Sequence, residues 1–168
     1  ERVVEQIRDW ITRSEPSQRL IDAYCGIGTI ALPLAAAGHR VTGLEISSAS
    51  VRHAERNASR NRLKHTRFLD GDVARRLRKL LPNHDALVVD PPRKGLDPAV
   101  LAMVLDHPPR RLVYLSCDPA TLARDLRQLA GDSGPYRIEQ VQPMDFFPQT
   151  SHLECLVLMS RISCAAPP

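Results

Sequence analysis

The sequence predicts a doubly wound α/β fold: a seven-stranded sheet, mostly parallel, whose last strand runs antiparallel. Three observations carry that expectation. The apolar run Leu20-Ile21-Asp22-Ala23 meets Gly26 and Gly28 and then a helical pattern to Gly38, the strand, turn and helix that open a βαβ unit. Apolar runs and helical patterns then alternate five times. The final two apolar runs have no helix between them, so the last connection returns as a hairpin and reverses direction. Together these features describe a Rossmann-like sheet in a single domain, which 168 residues can furnish with a core.

Val3, Val4, Ile7, Trp10 and Ile11 recur at helical spacing in residues 1–13, an amphipathic leading helix that ends before Pro16. After the first strand and its glycine turn, a helix runs to Gly38, a suitable residue beyond a helix end. Residues 40–46 form strand two, 48–60 a helix capped by Ser47, and 66–70 strand three. Residues 73–81 form a basic helix, and Asp85-Ala-Leu-Val-Val-Asp90 reads as a fully buried central strand. Pro91 and Pro92 give that strand a stiff exit. A short helix (97–106), strand five (111–117), a helix opened by Asp118-Pro119 and running to about Ala130, strand six (136–141) and strand seven (152–161) follow. Residues 142–151 read as a loop, and 163–168 as a loose tail.

The net charge is +4, and 20 of the 23 basic residues are arginine. Arginine's planar fork suits phosphate, which favours a nucleic-acid partner; a preference for arginine over lysine on solvated helix faces would give the same balance. Arg52, Arg56 and Arg60 form a ridge that is either a solvated helix face or a contact for an RNA backbone. Cys25, Cys117, Cys155 and Cys164 show no paired spacing, which predicts neither a zinc site nor a disulfide framework and suits a reduced, cytoplasmic setting. No metal, no membrane span and a monomer are expected. The chain opens on Glu1 already in helical pattern and is expected to be part of a longer protein.

In doubly wound sheets, ligands bind outside the carboxyl ends of the strands. Asp22, the Gly26 and Gly28 turn, Glu45, Asp72, Asp90 and Cys117 all fall there. The glycines allow a ligand to approach the backbone closely. Gly26 to Ala31 also fits a dinucleotide fingerprint, but a carboxylate at Asp22 repels a pyrophosphate. It suits a cofactor with an ammonium or sulfonium group, and S-adenosylmethionine carries both. Glu45 stands 19 residues after Gly26, where an acidic residue would hold a ribose hydroxyl pair; with Ser47 as the helix cap, Glu45 is left to a ligand. Asp72 either accepts from an adenine amino group or caps its helix. Cys117 ends strand five beside Asp90 on strand four. It is either a small buried apolar residue or, as a thiolate, a nucleophile. His152 and Glu154 share one face if extended, and a carboxylate there can act as a base or form a surface ion pair.

Four stretches, Asp22-Ala-Tyr-Cys-Gly-Ile-Gly-Thr29, Asp90-Pro-Pro-Arg-Lys-Gly95, Ser116-Cys-Asp-Pro119 and Phe147-Pro-Gln-Thr-Ser-His-Leu-Glu154, span nearly the whole chain. In this order the chain resembles the catalytic domain of the uracil-C5 RNA methyltransferases, which make 5-methyluridine in tRNA or ribosomal RNA. The resemblance implies the class I S-adenosylmethionine-dependent fold, an RNA substrate, Cys117 as nucleophile and Glu154 as base. It further implies cofactor contacts from Tyr24, Thr29, Glu45, Asp72 and Asp90. Members often have asparagine at Thr29 and a small polar residue near Asp72. Members also normally carry an RNA-binding barrel before this domain, and some an iron–sulfur cluster, so the resemblance implies a C-terminal part of a longer protein. Three other readings differ on named residues. Cytosine-C5 RNA methyltransferases usually have a cysteine after the strand-four proline, a nicotinamide-dependent dehydrogenase leaves Cys117 unexplained, and a non-catalytic RNA- or cofactor-binding module leaves both Cys117 and Glu154 idle.

Overall fold

In a computed structural model, which describes residues 2–13, 17–145 and 153–162, one seven-stranded sheet runs in the order β3-β2-β1-β4-β5-β7-β6. The strands are β1 (Arg19–Ala23), β2 (Arg40–Glu45), β3 (Thr66–Asp70), β4 (Ala86–Val89), β5 (Arg111–Ser116), β6 (Tyr136–Met144) and β7 (Glu154–Arg161). The helices are α1 (Arg2–Thr12), α2 (Ala31–Ala36), α3 (Ser48–Arg60), α4 (Val73–Leu80), α5 (Pro98–Asp106) and α6 (Pro119–Ala130). Strand β7 pairs antiparallel with both β5 and β6, and every other pairing is parallel. No helix among the described residues is long and apolar enough to cross a membrane.

Period-2 alternation sorts the central strands into two cores. Leu87 and Val89 of β4 join Ile21, Leu44, Leu112 and Tyr114 beneath α4, α5 and α6. Ala86 and Val88 join Leu20, Val41, Val113 and Leu156 beneath α1, α2 and α3. All four β4 residues are buried, as an apolar run with helices on both faces must be. Helix α1 is pinned by its ring: the Arg111 guanidinium lies 4.3 Å from the Trp10 centroid and donates to the Trp10 carbonyl.

Helix α2 begins at Ala31, after successive turns from Gly26 to Ile30. One expectation is corrected. Strand β6 continues to Met144 through residues expected to form a loop. It is an edge strand hydrogen-bonded only to β7, and such a strand accommodates Pro143, which has no N–H to offer. Residues 163–168, expected as a loose tail, lie outside the described residues, as does His152.

Gly43, at the middle of β2, has no room for a side chain. A Cβ there would stand 2.5 Å from the Phe68 ring and 2.8 Å from Cys25 Sγ. Gly43→Ala is expected to destabilise the fold by about 1–3 kcal/mol through overpacking, read as a fall in the urea midpoint at unchanged slope.

Candidate active site

The carboxyl ends of β1, β4 and β5 and the first turn of α1 enclose a pocket of about 340 Å³, whose wall includes Asp22, Tyr24, Gly26, Thr29 and Asp90. Five of the eight residues expected to hold a cofactor therefore meet in one cavity. Val3 and Val4 complete its wall, a role their helical spacing alone did not disclose.

Asp22 is 1 % exposed, and neither of its oxygens has a hydrogen-bond partner. The Ala31 amide favours its charge without reaching hydrogen-bonding geometry. Burial outweighs that help and, with the charges of Asp90 and Glu45, raises the carboxyl to about 8. An orphaned buried carboxyl on a pocket wall is a place for a cation. Tyr24 takes a positive φ of 67°, rare for a residue with a side chain, and so stores strain at the site. Burial foremost, then Asp97, Asp72 and Asp125, raises its hydroxyl to about 12, so it remains a donor.

The two glycines have different tasks. Gly26 has φ +54° and open space where a Cβ would sit, so ligand atoms can approach its backbone. Gly28 does not line the pocket: its missing Cβ faces Leu32, 3.0 Å away, and Phe68, and it serves the packing of the turn.

Ser47 caps α3 as expected, accepting from the Ser50 amide. Glu45 is nonetheless engaged rather than free: its carboxylate accepts from the Gly26 amide at 3.1 Å and the Ser47 amide at 2.9 Å. It thereby ties the turn after β1 to the turn after β2 and keeps one further lone pair on each oxygen. Asp72 caps α4, accepting from the Arg75 amide at 2.8 Å, and does not line the pocket. Ile27 and Ile46, on these two turns, are 50 % and 73 % exposed, large apolar side chains at the rim that the sequence reading passed over.

Cys117 and Glu154 flank the last pair of the β5–β7 ladder. Ser116 of β5 pairs with Cys155 of β7. Half-buried Cys117 follows Ser116 and half-buried Glu154 precedes Cys155, so both stand at the same end of that ladder. The turn holding Cys117 is fixed by Ser116, whose hydroxyl donates to the Asp118 carbonyl and accepts from its amide. Asp90 stands at the edge of the same opening. Loss of hydration foremost, then the charge of Glu154, raises its carboxyl to about 6.

The sequence reading also missed Asp125. Fully buried in α6, it accepts from the Leu96 amide at 2.9 Å and the Tyr114 hydroxyl at 2.7 Å, and pairs with Arg124 at 2.8 Å. Arg124 and Thr121 donate to the Lys94 and Arg93 carbonyls. The loop after Asp90 is thus fastened to α6, directly beyond Cys117. A Cβ at Gly95 (φ +76°) would stand 2.7 Å from Arg124 and from Asp125, which explains the glycine of that motif. The available signal was a carboxylate on the apolar stripe of Leu122 and Leu129.

Comparison with known proteins follows the same lines. The family profile of tRNA (uracil-5-)-methyltransferases matches residues 74–162, and a general methyltransferase-domain profile matches 20–113. An uncharacterized RNA methyltransferase of Parasynechococcus marenigrum is 54 % identical over 97 % of this chain and 35 % of its own length. One from Thermosynechococcus vestitus is 45 % identical over 95 % of this chain and 35 % of its own. The chain thus spans about a third of the length of these curated relatives. The Pyrococcus abyssi tRNA (uracil-54, C5)-methyltransferase, solved with S-adenosyl-L-homocysteine, superposes with a TM-score of 0.80 at 30 % identity, over 94 % of this chain and 37 % of that one. Magnesium protoporphyrin IX methyltransferase from Synechocystis, solved with S-adenosylmethionine, shares the fold at a TM-score of 0.73 and 20 % identity, over 96 % of this chain and 79 % of that one. The profile match covers more than half of the residues: the chain belongs to the tRNA (uracil-5-)-methyltransferase family, with the fold of class I S-adenosylmethionine-dependent methyltransferases.

Proposed function

We propose that this chain methylates C5 of a uridine in tRNA or ribosomal RNA, with Cys117 as nucleophile and Glu154 as base. The observation that supports this best is that Cys117 and Glu154 stand at the same end of the β5–β7 ladder, where Asp90 feels the charge of Glu154.

The pocket residues fit the proposed cofactor. The orphaned Asp22 carboxyl suits a cationic group, Glu45 has lone pairs for a ribose hydroxyl pair, and the open space at Gly26 admits ligand atoms to the backbone. Thr29, Tyr24 and Asp90 offer further polar contacts, and Ile46 an apolar face beside Glu45. When bound, S-adenosylmethionine supplies an electrophilic methyl group on a sulfonium.

C5 of uracil is a poor nucleophile. The Cys117 thiolate would form a bond to C6, and the C5–C6 π electrons would move into an enolate, making C5 nucleophilic. Once C5 carries the methyl group, Glu154 would take its remaining proton. The electron pair of that C–H bond restores the C5–C6 double bond and expels Cys117 as thiolate. Cys117 and Glu154 thus act on opposite sides of one transfer. A base stacked in a helix cannot reach such a site, so the target uridine should lie in a loop or be flipped out.

Glu45→Ala is expected to weaken S-adenosylmethionine binding by about 1–3 kcal/mol through lost hydrogen bonds. Calorimetry giving the same affinity for wild type and variant would remove Glu45 from the cofactor site.

A further inference from the structure

We infer a second RNA contact: a phosphate-binding track that descends α4 from the carboxyl end of β3 and ends in a basic groove at the opposite end of the sheet. It rests on the reading of the chain as an enzyme acting on RNA.

The groove, of about 420 Å³, is lined by Arg19, Arg40, Arg67, His65 and His84, with Leu80 at its wall. Arg19 and Arg40 are register partners at the starts of β1 and β2, which places their Cα atoms about 4.8 Å apart. Arg67 pairs with Thr42, two residues beyond Arg40, so the three side chains leave the same face of the sheet. All three arginines are exposed, and none forms an ion pair among the described residues. The nearby Asp85 carboxylate accepts from the Arg19 backbone amide at 2.9 Å and forms no ion pair with the three guanidiniums. Like charges set side by side repel each other, and a bound anion relieves that repulsion.

Helix α4 leads to this groove from the other end of the sheet. Its cap, Asp72, stands at the carboxyl end of β3, and its final residue, Leu80, lines the groove. Along it, exposed Arg75, Arg78 and Lys79 have no ion pair among the described residues, whereas Arg76 is held by Asp70. A five-residue strand is roughly 17 Å long, so a phosphodiester chain that passes the start of α4 can run down the helix and end against three guanidiniums. Six cations spread over that length suit a linear polyanion better than a compact acidic patch. Arginine's planar fork is suited to phosphate.

The test uses the complete protein with the triple variant Arg19→Gln, Arg40→Gln and Arg67→Gln, all far from the pocket. Its probes are a long labelled polyuridylate, polyglutamate and S-adenosylmethionine. The expected result is polyuridylate binding weakened about 10- to 100-fold. The slope of log affinity against log salt should become shallower by about 2, since each lost phosphate contact in single-stranded RNA contributes roughly 0.7. S-adenosylmethionine affinity should be unchanged, and the triple lysine variant should keep most of the slope. Polyuridylate affinity and slope equal to wild type would overturn the track. Polyglutamate binding wild type as tightly as polyuridylate at equal salt would overturn it too, in favour of an acidic protein partner. If the wild type binds polyuridylate with this salt slope but methylates no uridine, the proposed function fails and the track stands.

Discussion

Cys117→Ala is expected to abolish methyl transfer and every covalent protein–RNA species, whereas Glu154→Gln is expected to trap one. Removing the thiol removes the group proposed to add to C6. Glutamine preserves the shape of Glu154 but not its basicity, so addition and methyl transfer proceed and the C5 proton stays in place. An adduct between Cys117 and the methylated base then accumulates as a denaturant-resistant band bearing the methyl label. Loss of a general base typically costs about 10²–10⁴-fold in rate, long enough for the band to be seen. A Glu154→Gln enzyme that turns over normally, or an adduct formed by Cys117→Ala, would show that the roles are wrongly assigned.

Asp22→Asn is expected to stabilise the ligand-free fold while weakening S-adenosylmethionine binding. An ordinary aspartate ionises near 3.8, and Asp22 in the fold near 8. Between those values the unfolded chain has released a proton that the folded chain retains. Ligand-free stability therefore falls as pH rises from about 4 to about 8, then levels off. Asparagine removes that slope and should add about 1–3 kcal/mol near pH 7, the scale of an unpartnered buried polar group. A cationic ligand reverses the balance by drawing Asp22 into its charged form. Cofactor binding near pH 7 should then release a proton, so its heat depends on the buffer's ionisation enthalpy in wild type but not in Asp22→Asn. Identical pH profiles of thermal unfolding in the two proteins would rule out Asp22 as the group responsible.

What could be read in advance depended on whether the determinant was local. Strand β4 was legible because Ala86 to Val89 is an apolar run too short for a helix, and burial on both faces follows from that. The caps were legible too, since Ser47 and Asp118 hydrogen-bond to amides a few residues ahead. Where the turn before α2 ends was not legible, because that turn is set by Gly28 packing on Leu32 and Phe68, the latter forty residues away. Residues 142–144 looked like a loop because Pro143 forbids a central strand, and only the strand order shows that β6 is an edge. In the site, Asp22 and Asp90 could be placed by topology, but the isolation of Asp22 comes from the packing around it. Asp125 stayed unseen because its partners, Leu96 and Tyr114, come from two other parts of the chain.

Strand β7 sets the order in which this molecule can become whole. During synthesis, residues up to Ser116 can assemble β3-β2-β1-β4-β5, in which every pair but β1 with β4 joins strands consecutive in the chain. Strand β6 comes off the ribosome next and has nothing to join, because its sole partner is β7. Only when residues 154–161 insert between β5 and β6 does the sheet close, and the same insertion brings Glu154 to the end of the ladder where Cys117 follows β5. A nascent chain thus displays the pocket wall and the Cys117 thiol well before Glu154, and the pair proposed for catalysis first exists when the last strand docks.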